Sequence, residues 1–195
     1  GNFFNPLHPR KEKPILFYGT SIMQGACASR PGLAFPAILG RRLKRPTINL
    51  GFSGNGIMEN EIVSLLAELD PCVYVIDCLP NMDESSVSER TIPLVKRLRK
   101  AHKKTPILLV EDRSFTNTQF FPSMKLHHFK SRIALKDAFA ELNNQGVGNL
   151  YYLDGDNLLG RDGEAATDGS HPNDLGMIRY ADAYEPVLRS ILRQF

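Results

Sequence analysis

The chain has 195 residues, of which 42% are hydrophobic and 23% charged, and its net charge is +3 at neutral pH. These values are ordinary for a globular protein with one sizeable core, and nothing in them calls for two domains. The net charge is too small to indicate a polyanionic partner. Basic residues cluster at 41–45 and 96–104, but apolar residues recur at helical spacing through the second cluster, so we expect solvated helix faces and no nucleic-acid binding.

The three cysteines, Cys27, Cys72 and Cys78, match no metal-ligand spacing and cannot all pair with one another. Cys72 and Cys78 flank an apolar run, so we expect core thiols without a disulfide framework. The sequence shows no signal peptide and no apolar run of membrane-spanning length. The first residue is Gly1 instead of Met, from which we expect a trimmed N-terminus. Secreted, periplasmic and cytoplasmic locations therefore all stay open.

The first half of the chain begins with a stretch rich in proline and charge. Residues 1–14 lack periodicity, and we expect a linker or an arm there, followed by one catalytic domain over 15–195. An apolar run predicts a strand at 15–19 that stops at a glycine followed by two hydroxyl residues. A helix over 33–44 and a short strand over 46–50 follow.

The remaining elements continue this alternation of strands and helices. The second strand leads into a glycine-dense turn at 51–56, and a helix then follows. This helix is predicted to bury one face formed by Met58, Ile62, Leu65, Leu66 and Leu69. Further strands are predicted at 72–77, 106–111 and 150–153, with a helix opened by a capping box at 86–89, another ending near Asn144, and a last one beginning near Asp174.

Such an order predicts an α/β fold in which a parallel sheet of about five strands carries helices on both faces through right-handed crossovers. Four polar features follow strands in this scheme: Ser21, Gly54, Asn81 and the loop 168–171. Because open α/β sheets bind ligands at the carboxyl ends of their strands, we expect these residues to gather at one edge of the sheet.

A serine becomes a useful nucleophile when a base accepts its proton and a third group orients that base. Ser21 stands at the end of the first buried strand, and His171 is the candidate base. Asp168 lies three residues earlier in the same loop, where its carboxylate can turn back on the imidazole. The other histidines, which we place in the arm or on helix faces open to solvent, are His8, His102, His127 and His128.

Attack on a carbonyl also requires donors for the oxyanion that develops. The backbone N–H groups of the turn around Gly54 suit this role, because glycine allows close approach. The side-chain amide of Asn81 is a second candidate donor. Two structural interpretations stay open at this point: Gly54 simply permits a turn, and Asn81 caps the helix that follows it.

These motifs together resemble the four sequence blocks of the SGNH hydrolases, also called the GDSL-like esterase/lipase superfamily. The resemblance runs from about residue 14 to 192 and rests on Gly19-Thr20-Ser21-Ile22, Gly51-Phe52-Ser53-Gly54, Asn81 and Asp168-x-x-His171. It implies a flavodoxin-like three-layer α/β/α sandwich. We expect no cofactor and no metal. The resemblance also implies that Ser21 is the nucleophile, His171 the general base and acid, and Asp168 the orienting carboxylate, with the Ser21 N–H, the Gly54 N–H and the Asn81 side chain forming the oxyanion hole.

Two blocks depart from the family pattern. Thr20 replaces the aspartate of the Gly-Asp-Ser-Leu block, which is not the triad acid. The third block, usually Gly-x-Asn-Asp, retains only its asparagine in Leu79-Pro80-Asn81-Met82, which weakens the assignment of Asn81. The sequence is most similar to bacterial GDSL-like acylhydrolases, which often carry a small β domain upstream of the catalytic domain.

Other functions remain as alternatives on the same fold. The segment from Tyr18 to Ser21 also resembles the start of a flavodoxin phosphate loop, which would indicate an FMN-binding electron carrier, but Ile22-Met23-Gln24 does not continue that loop. The glycines of 51–56 have the wrong spacing for a dinucleotide site, and the acidic turn at 154–157 departs from a calcium loop. A non-catalytic binding module is the third alternative.

The favoured function is therefore serine-dependent hydrolysis of acyl esters on a small-molecule or carbohydrate substrate. Most predicted connections are short and leave no lid for a long acyl chain, so we expect short acyl groups such as acetyl on a carbohydrate. Lipids, thioesters and peptidoglycan are equally compatible substrates by the resemblance. Acyl transfer in place of hydrolysis also stays open. Substrate-binding residues are not assigned, although residues that follow the first and fourth strands are candidates for the rim of the site: Arg30, Arg113, Phe115, Phe120 and Phe121.

Overall fold

Five parallel strands form the central sheet of the computed structural model, which describes residues 3–4, 6 and 11–194. The strands are β1 (Ile15–Gly19), β2 (Thr47–Gly51), β3 (Val73–Asp77), β4 (Ile107–Val110) and β5 (Leu150–Leu153), and their order across the sheet is β2-β1-β3-β4-β5. The predicted parallel sheet is confirmed, and the bounds of β1 and β5 match the prediction. Half of the predicted arm over 1–14 lies outside the described residues.

Helices lie between successive strands, and one more helix follows the last strand. They are α1 (Ser21–Gln24), α2 (Phe35–Leu43), α3 (Asn60–Leu66), α4 (Glu84–Ala101), α5 (Pro122–Asn144) and α6 (Asp174–Leu192), with short 3-10 helices at Pro31–Leu33, Leu79–Asn81 and Thr118–Phe120. Within the residues that the structure describes, no helix is both long and apolar enough to cross a membrane.

The sheet has a hydrophobic core on each face because the buried strands alternate their side chains between the two. Ile15 and Phe17 of β1 point to a core closed by α2 and α6. Leu16 and Tyr18 point to the opposite core, which α3, α4 and α5 close. The central strands are largely apolar because both of their faces are covered. The result is the three-layer α/β/α sandwich that the sequence predicts.

The strand order places one crevice at the carboxyl edge of the sheet. The chain leaves β1 towards β2 on one side and returns to β3 on the other, so successive connections diverge between β1 and β3. In doubly wound sheets this switch point is the usual place for a ligand. Gly19, at the end of β1, pairs with Asp77, at the end of β3. The segments that continue from these two residues therefore flank the crevice.

Three local predictions are wrong. The cap of α4 is Asp83, whose carboxylate accepts a hydrogen bond from the Ser86 N–H at 2.8 Å, so the predicted capping box lies inside the helix. Leu65 is 58% exposed, because the short α3 turns it away from the core that receives Leu66. His128 lies on a buried face of α5, where its imidazole contacts the carboxylate of Asp112.

Candidate active site

Ser21 is the first residue of α1, directly beyond the end of β1. The helix begins there because Thr20 caps it, its hydroxyl accepting a hydrogen bond from the Ile22 N–H at 3.3 Å. Thr20 is a helix cap in this structure. The first N–H groups of a helix have no acceptor within the helix itself, so the Ser21 N–H is available to another group. Ser21 is only 7% exposed.

His171 and Asp168 approach Ser21 from the loop that follows β5. The distance from Ser21 Oγ to His171 Nε2 is 2.9 Å, and that from His171 Nδ1 to Asp168 Oδ2 is 2.7 Å. Residues separated by 150 positions in the chain thus form one hydrogen-bonded series. A carboxylate at Nδ1 favours the tautomer with the hydrogen on that nitrogen, in which Nε2 can accept from the serine hydroxyl.

The second carboxylate oxygen of Asp168 is held by the backbone of its own loop. Asp168 Oδ1 accepts hydrogen bonds from the Ser170 N–H at 2.9 Å and the His171 N–H at 2.7 Å. Partial burial raises the pKa of Asp168, but these two N–H groups and the imidazole outweigh it and lower the pKa to about 2. Asp168 is therefore an ionised carboxylate at neutral pH, which is the form that stabilises an imidazolium.

The turn that contains Gly54 is joined to the end of β1. The Phe52 N–H donates to the Gly19 carbonyl at 2.9 Å, and the Asn55 N–H closes the turn on the Phe52 carbonyl at 3.0 Å. Gly54 has a φ of +71°, a backbone conformation that L side chains rarely adopt, and the space where a side chain would start is empty. The turn thus requires glycine and leaves its outer surface open to a ligand.

Asn81 stands at the end of the 3-10 helix that follows β3. Its side-chain amide donates to the Asn55 carbonyl at 2.7 Å, which links the segment after β3 to the turn of Gly54. The amide nitrogen carries a second hydrogen that this contact does not use. The interpretation of Asn81 as the cap of the next helix is wrong, because Asp83 has that position.

The sequence does not reveal a partly buried network that joins β1 to the residues after this turn. Glu59 accepts hydrogen bonds from the Tyr18 hydroxyl and from the Ile57 N–H, and the Tyr18 hydroxyl in turn accepts from the Met58 N–H at 3.1 Å. Burial raises the pKa of Tyr18, so its hydroxyl stays protonated and keeps donating to Glu59. The only signal in the sequence is a tyrosine inside an otherwise apolar strand, whose hydroxyl needs a partner when buried.

The candidate rim residues have different positions. Phe120 and Phe121 are exposed at the start of α5, and Arg30 is exposed after α1. Phe115 is half-buried, with its ring centroid 4.4 Å from that of His128. The expectation for Arg113 is wrong: its side chain is only 2% exposed, because the guanidinium turns inward to the carboxylate of Asp112.

A hydrogen-bonded series of serine, histidine and aspartate at the switch point of a doubly wound sheet is the arrangement of a serine hydrolase. A family model for the GDSL-like lipase/acylhydrolase family matches residues 12–189. The chain belongs to that family, and the resemblance identified in the sequence is confirmed. No curated protein sequence matches the chain.

Solved structures agree with this assignment. The structure of a Bacteroides ovatus protein described as a GDSL-like lipase is 38% identical, with a TM-score of 0.90 over 93% of this chain and 54% of its own. A salicylyl-acyltransferase from a tetracycline biosynthetic pathway is 20% identical, with a TM-score of 0.82 over 93% of this chain and 55% of its own. A family two carbohydrate esterase from Clostridium thermocellum is 15% identical, with a TM-score of 0.70 over 97% of this chain and 68% of its own. The chain thus spans about half the length of the first two proteins, and the last two likenesses concern the fold.

Proposed function

We propose that this protein is a serine-dependent carboxylic ester hydrolase whose residues 15–195 form the catalytic domain. The observation that carries the proposal is the series from Asp168 through His171 to Ser21 in a chain of the GDSL-like family. The hydroxyl, the imidazole and the carboxylate are already within hydrogen-bonding distance of one another. This is the geometry in which a base can accept the proton of a nucleophile as it attacks.

The proposed reaction has two halves. Ser21 Oγ attacks the ester carbonyl carbon while its proton passes to His171 Nε2, and that proton then goes to the oxygen of the departing alcohol as the bond between carbonyl carbon and alcohol oxygen breaks. Water next attacks the acyl-serine and gives a proton to His171, which returns it to Ser21 Oγ as the free acid leaves. Asp168 keeps the imidazole oriented and stabilises its positive charge in both halves.

The proposed oxyanion hole consists of the Ser21 N–H, the Gly54 N–H and the Asn81 side-chain amide. Two contacts support it: the turn of Gly54 is joined to the end of β1, and Asn81 is joined to that same turn. All three donors therefore belong to segments connected at the carboxyl edge of β1, β2 and β3. Each such donor is commonly worth on the order of 3 kcal/mol in the transition state.

For the substrate we propose short acyl groups, such as acetyl, on a carbohydrate. The side chains of His171 and Asp168 are 32% and 51% exposed, so the site opens to solvent. An open site accepts an ester on a bulky alcohol, whereas a long acyl chain needs an apolar channel to bury it. The carbohydrate esterase of the same fold is consistent with this choice of substrate.

The first experiment compares wild-type protein with Ser21→Ala. We expect the wild type to hydrolyse p-nitrophenyl acetate and to be labelled by a fluorophosphonate probe, and Ser21→Ala to lose both, with kcat lower by on the order of 10⁴-fold or more. Ser64→Ala is the control, because this hydroxyl on α3 donates only to the Asn60 carbonyl. A Ser21→Ala variant that is labelled and turns over like wild type would refute the proposal.

A second experiment tests the acyl group. Esters of p-nitrophenol with acyl chains of increasing length, followed by acetylated sugars, should show the highest kcat/KM for acetyl. An optimum at long chains would contradict the substrate proposal but leave the serine mechanism intact. Adding a second alcohol to the assay distinguishes hydrolysis from acyl transfer, because a transferase would produce a new ester at the expense of free acid.

A further inference from the structure

Arg113 is a buried cation placed between the core and the catalytic loop. It follows β4 directly after Glu111 and Asp112, and all three side chains are buried. A guanidinium removed from water needs acceptors for its charge and its donors, because an unpaired buried charge is strongly unfavourable. The identity of those acceptors therefore indicates why the chain keeps an arginine here.

The guanidinium has two kinds of partner. On one side, Nη1 donates to the carboxylate of Asp112, which is itself inaccessible to solvent. On the other side, Nε donates to the carbonyl of Ser170 at 3.2 Å, and Nη2 donates to the hydroxyl of Ser170. The ring of Phe115 lies against the guanidinium, with 4.3 Å from Cζ to the ring centroid. Arg113 thus donates two hydrogen bonds, from Nε and Nη2, to Ser170 of the loop.

Ser170 is the residue directly before His171. Within the loop, Asp168 Oδ1 accepts hydrogen bonds from the N–H groups of Ser170 and His171. This turn fixes Asp168 relative to His171, but it does not fix either of them relative to Ser21, which stands on β1 and α1. That relation depends on contacts between the loop and the body of the protein.

We propose that Arg113 is a positioning residue, which sets the distance between His171 and Ser21 by holding both the carbonyl and the hydroxyl of Ser170. The inference rests on the proposed function of the Ser21 site. The planar fork of arginine suits two acceptors on one residue, whereas the single ammonium of lysine sits on a flexible stem. An error of about 1 Å in such a position is sufficient to reduce turnover by about 100-fold.

A nearby arginine provides the matched control. Arg132 donates to the Asp112 carbonyl at 2.8 Å and to Asp156 at 2.6 Å. It therefore supports the same segment after β4 as Arg113 does. None of its contacts in the described part of the chain involves the loop 168–171. Replacing Arg132 by lysine disturbs the surroundings of Asp112 without releasing Ser170.

The activity test uses Arg113→Lys, Ser170→Ala, the double variant and Arg132→Lys, each kept well below its melting temperature. Lysine retains a positive charge beside Asp112, so the variants are expected to fold. We expect kcat for p-nitrophenyl acetate to fall about 10- to 100-fold in Arg113→Lys and several-fold in Ser170→Ala, with KM within about twofold of wild type. Arg113→Lys and Ser170→Ala both disrupt the same contact, that between Arg113 and the Ser170 hydroxyl. The kcat of the double variant should therefore lie within about threefold of that of Arg113→Lys. Arg132→Lys should keep kcat within about twofold.

A role confined to stability gives a different result. In that case Arg113→Lys and Arg132→Lys would lower the melting temperature alike while kcat of the folded protein stays at the wild-type value, and the proposal would be overturned. Losses that multiply in the double variant would overturn it as well, because Arg113 and Ser170 would then act independently.

Hydrogen exchange separates this inference from the proposed function, because it needs no activity. Arg113→Lys should accelerate exchange in the peptide that contains 167–172 by about 10-fold, and Arg132→Lys should leave that peptide at the wild-type rate. Unchanged exchange in Arg113→Lys would overturn the inference even in an active enzyme. A wild-type protein that hydrolyses no ester and resists the fluorophosphonate probe would instead overturn the proposed function, while the exchange data would still decide whether Arg113 holds the loop.

Discussion

The side chain of Asn81 differs from the other proposed oxyanion donors, because it is the only one of the three that a substitution can remove. Its amide donates one hydrogen to the Asn55 carbonyl, and that contact orients the other hydrogen. In the third sequence block, Leu79-Pro80-Asn81-Met82, only this asparagine matches the family pattern. The role proposed for Asn81 therefore depends more on its position in the structure than on the motif. A direct measurement at this residue is therefore informative.

We expect Asn81→Ala to lower kcat for p-nitrophenyl acetate by about 100-fold, with KM nearly unchanged, because the oxyanion is absent from the bound ester before attack. Asn143→Ala is the matched control: its exposed amide also donates to a backbone carbonyl, that of Phe139 at 2.9 Å, at the far end of α5. Steady-state kinetics of both variants provide the check. Equal kcat values in the two variants would rule out the assigned role.

The turn between β2 and α3 contains Gly54, and replacing this glycine tests whether the turn borders the proposed site. Gly54 and Gly146 both have positive φ, +71° and +77°, and both have empty space where a Cβ would lie. An alanine at either position should cost about 1–2 kcal/mol of stability through backbone strain alone. Only Gly54 carries an N–H group that belongs to the proposed oxyanion hole. We therefore expect similar melting temperatures for Gly54→Ala and Gly146→Ala, but a loss of kcat/KM only in Gly54→Ala; equal activities would show that the turn lies away from the substrate.

The elements that the sequence predicts well are those whose signal is local. β1, β3 and β4 are largely apolar runs, and β5 is a short run of leucine and tyrosine between turns. The sequence therefore gives the limits of β1 and β5 and places β3 and β4 to within one residue at each end. The helix α1 was missed because four residues are too few to show a period. The sequence does not locate the N-cap of α4, because Asp83 and Ser86 both carry side chains that can cap a helix. The backbone conformation determines that Asp83 is the cap.

The same distinction applies to the candidate site. The sequence shows that Ser21, Asn81 and His171 follow strands, and parallel strands bring such residues to one edge. It does not show contacts between neighbouring loops. The sequence therefore makes Arg113 a candidate for the rim of the site, although three charged residues directly after a buried strand indicate an internal partner. His128 was expected in solvent for the same reason, since its partner Asp112 lies on another element.

The stability of the whole molecule should depend on the buried carboxyl group of Asp77, at the end of β3. Tyr184 donates a hydrogen bond to Asp77 Oδ2 at 2.6 Å, across from α6, and Oδ1 has no partner among the described residues. Complete burial raises the pKa of Asp77 to about 7, although the Tyr184 hydroxyl opposes this, with Asp112 adding to the rise and Arg113 reducing it. The folded protein therefore binds a proton at Asp77 more tightly than the unfolded chain does.

This proton linkage sets the sign of the pH dependence. Below the ordinary pKa of aspartate the contribution of Asp77 to the free energy of unfolding is fully present, and it is lost as the pH rises through the folded pKa of about 7. The loss should reach roughly 1–4 kcal/mol above that pH. Asp77→Asn is neutral throughout and can still accept the Tyr184 hydroxyl, so its advantage over wild type should be larger at pH 8 than at pH 5. Urea unfolding of both proteins at the two pH values measures the difference, and an advantage that does not change with pH would mean that Asp77 is ionised in the folded protein at both.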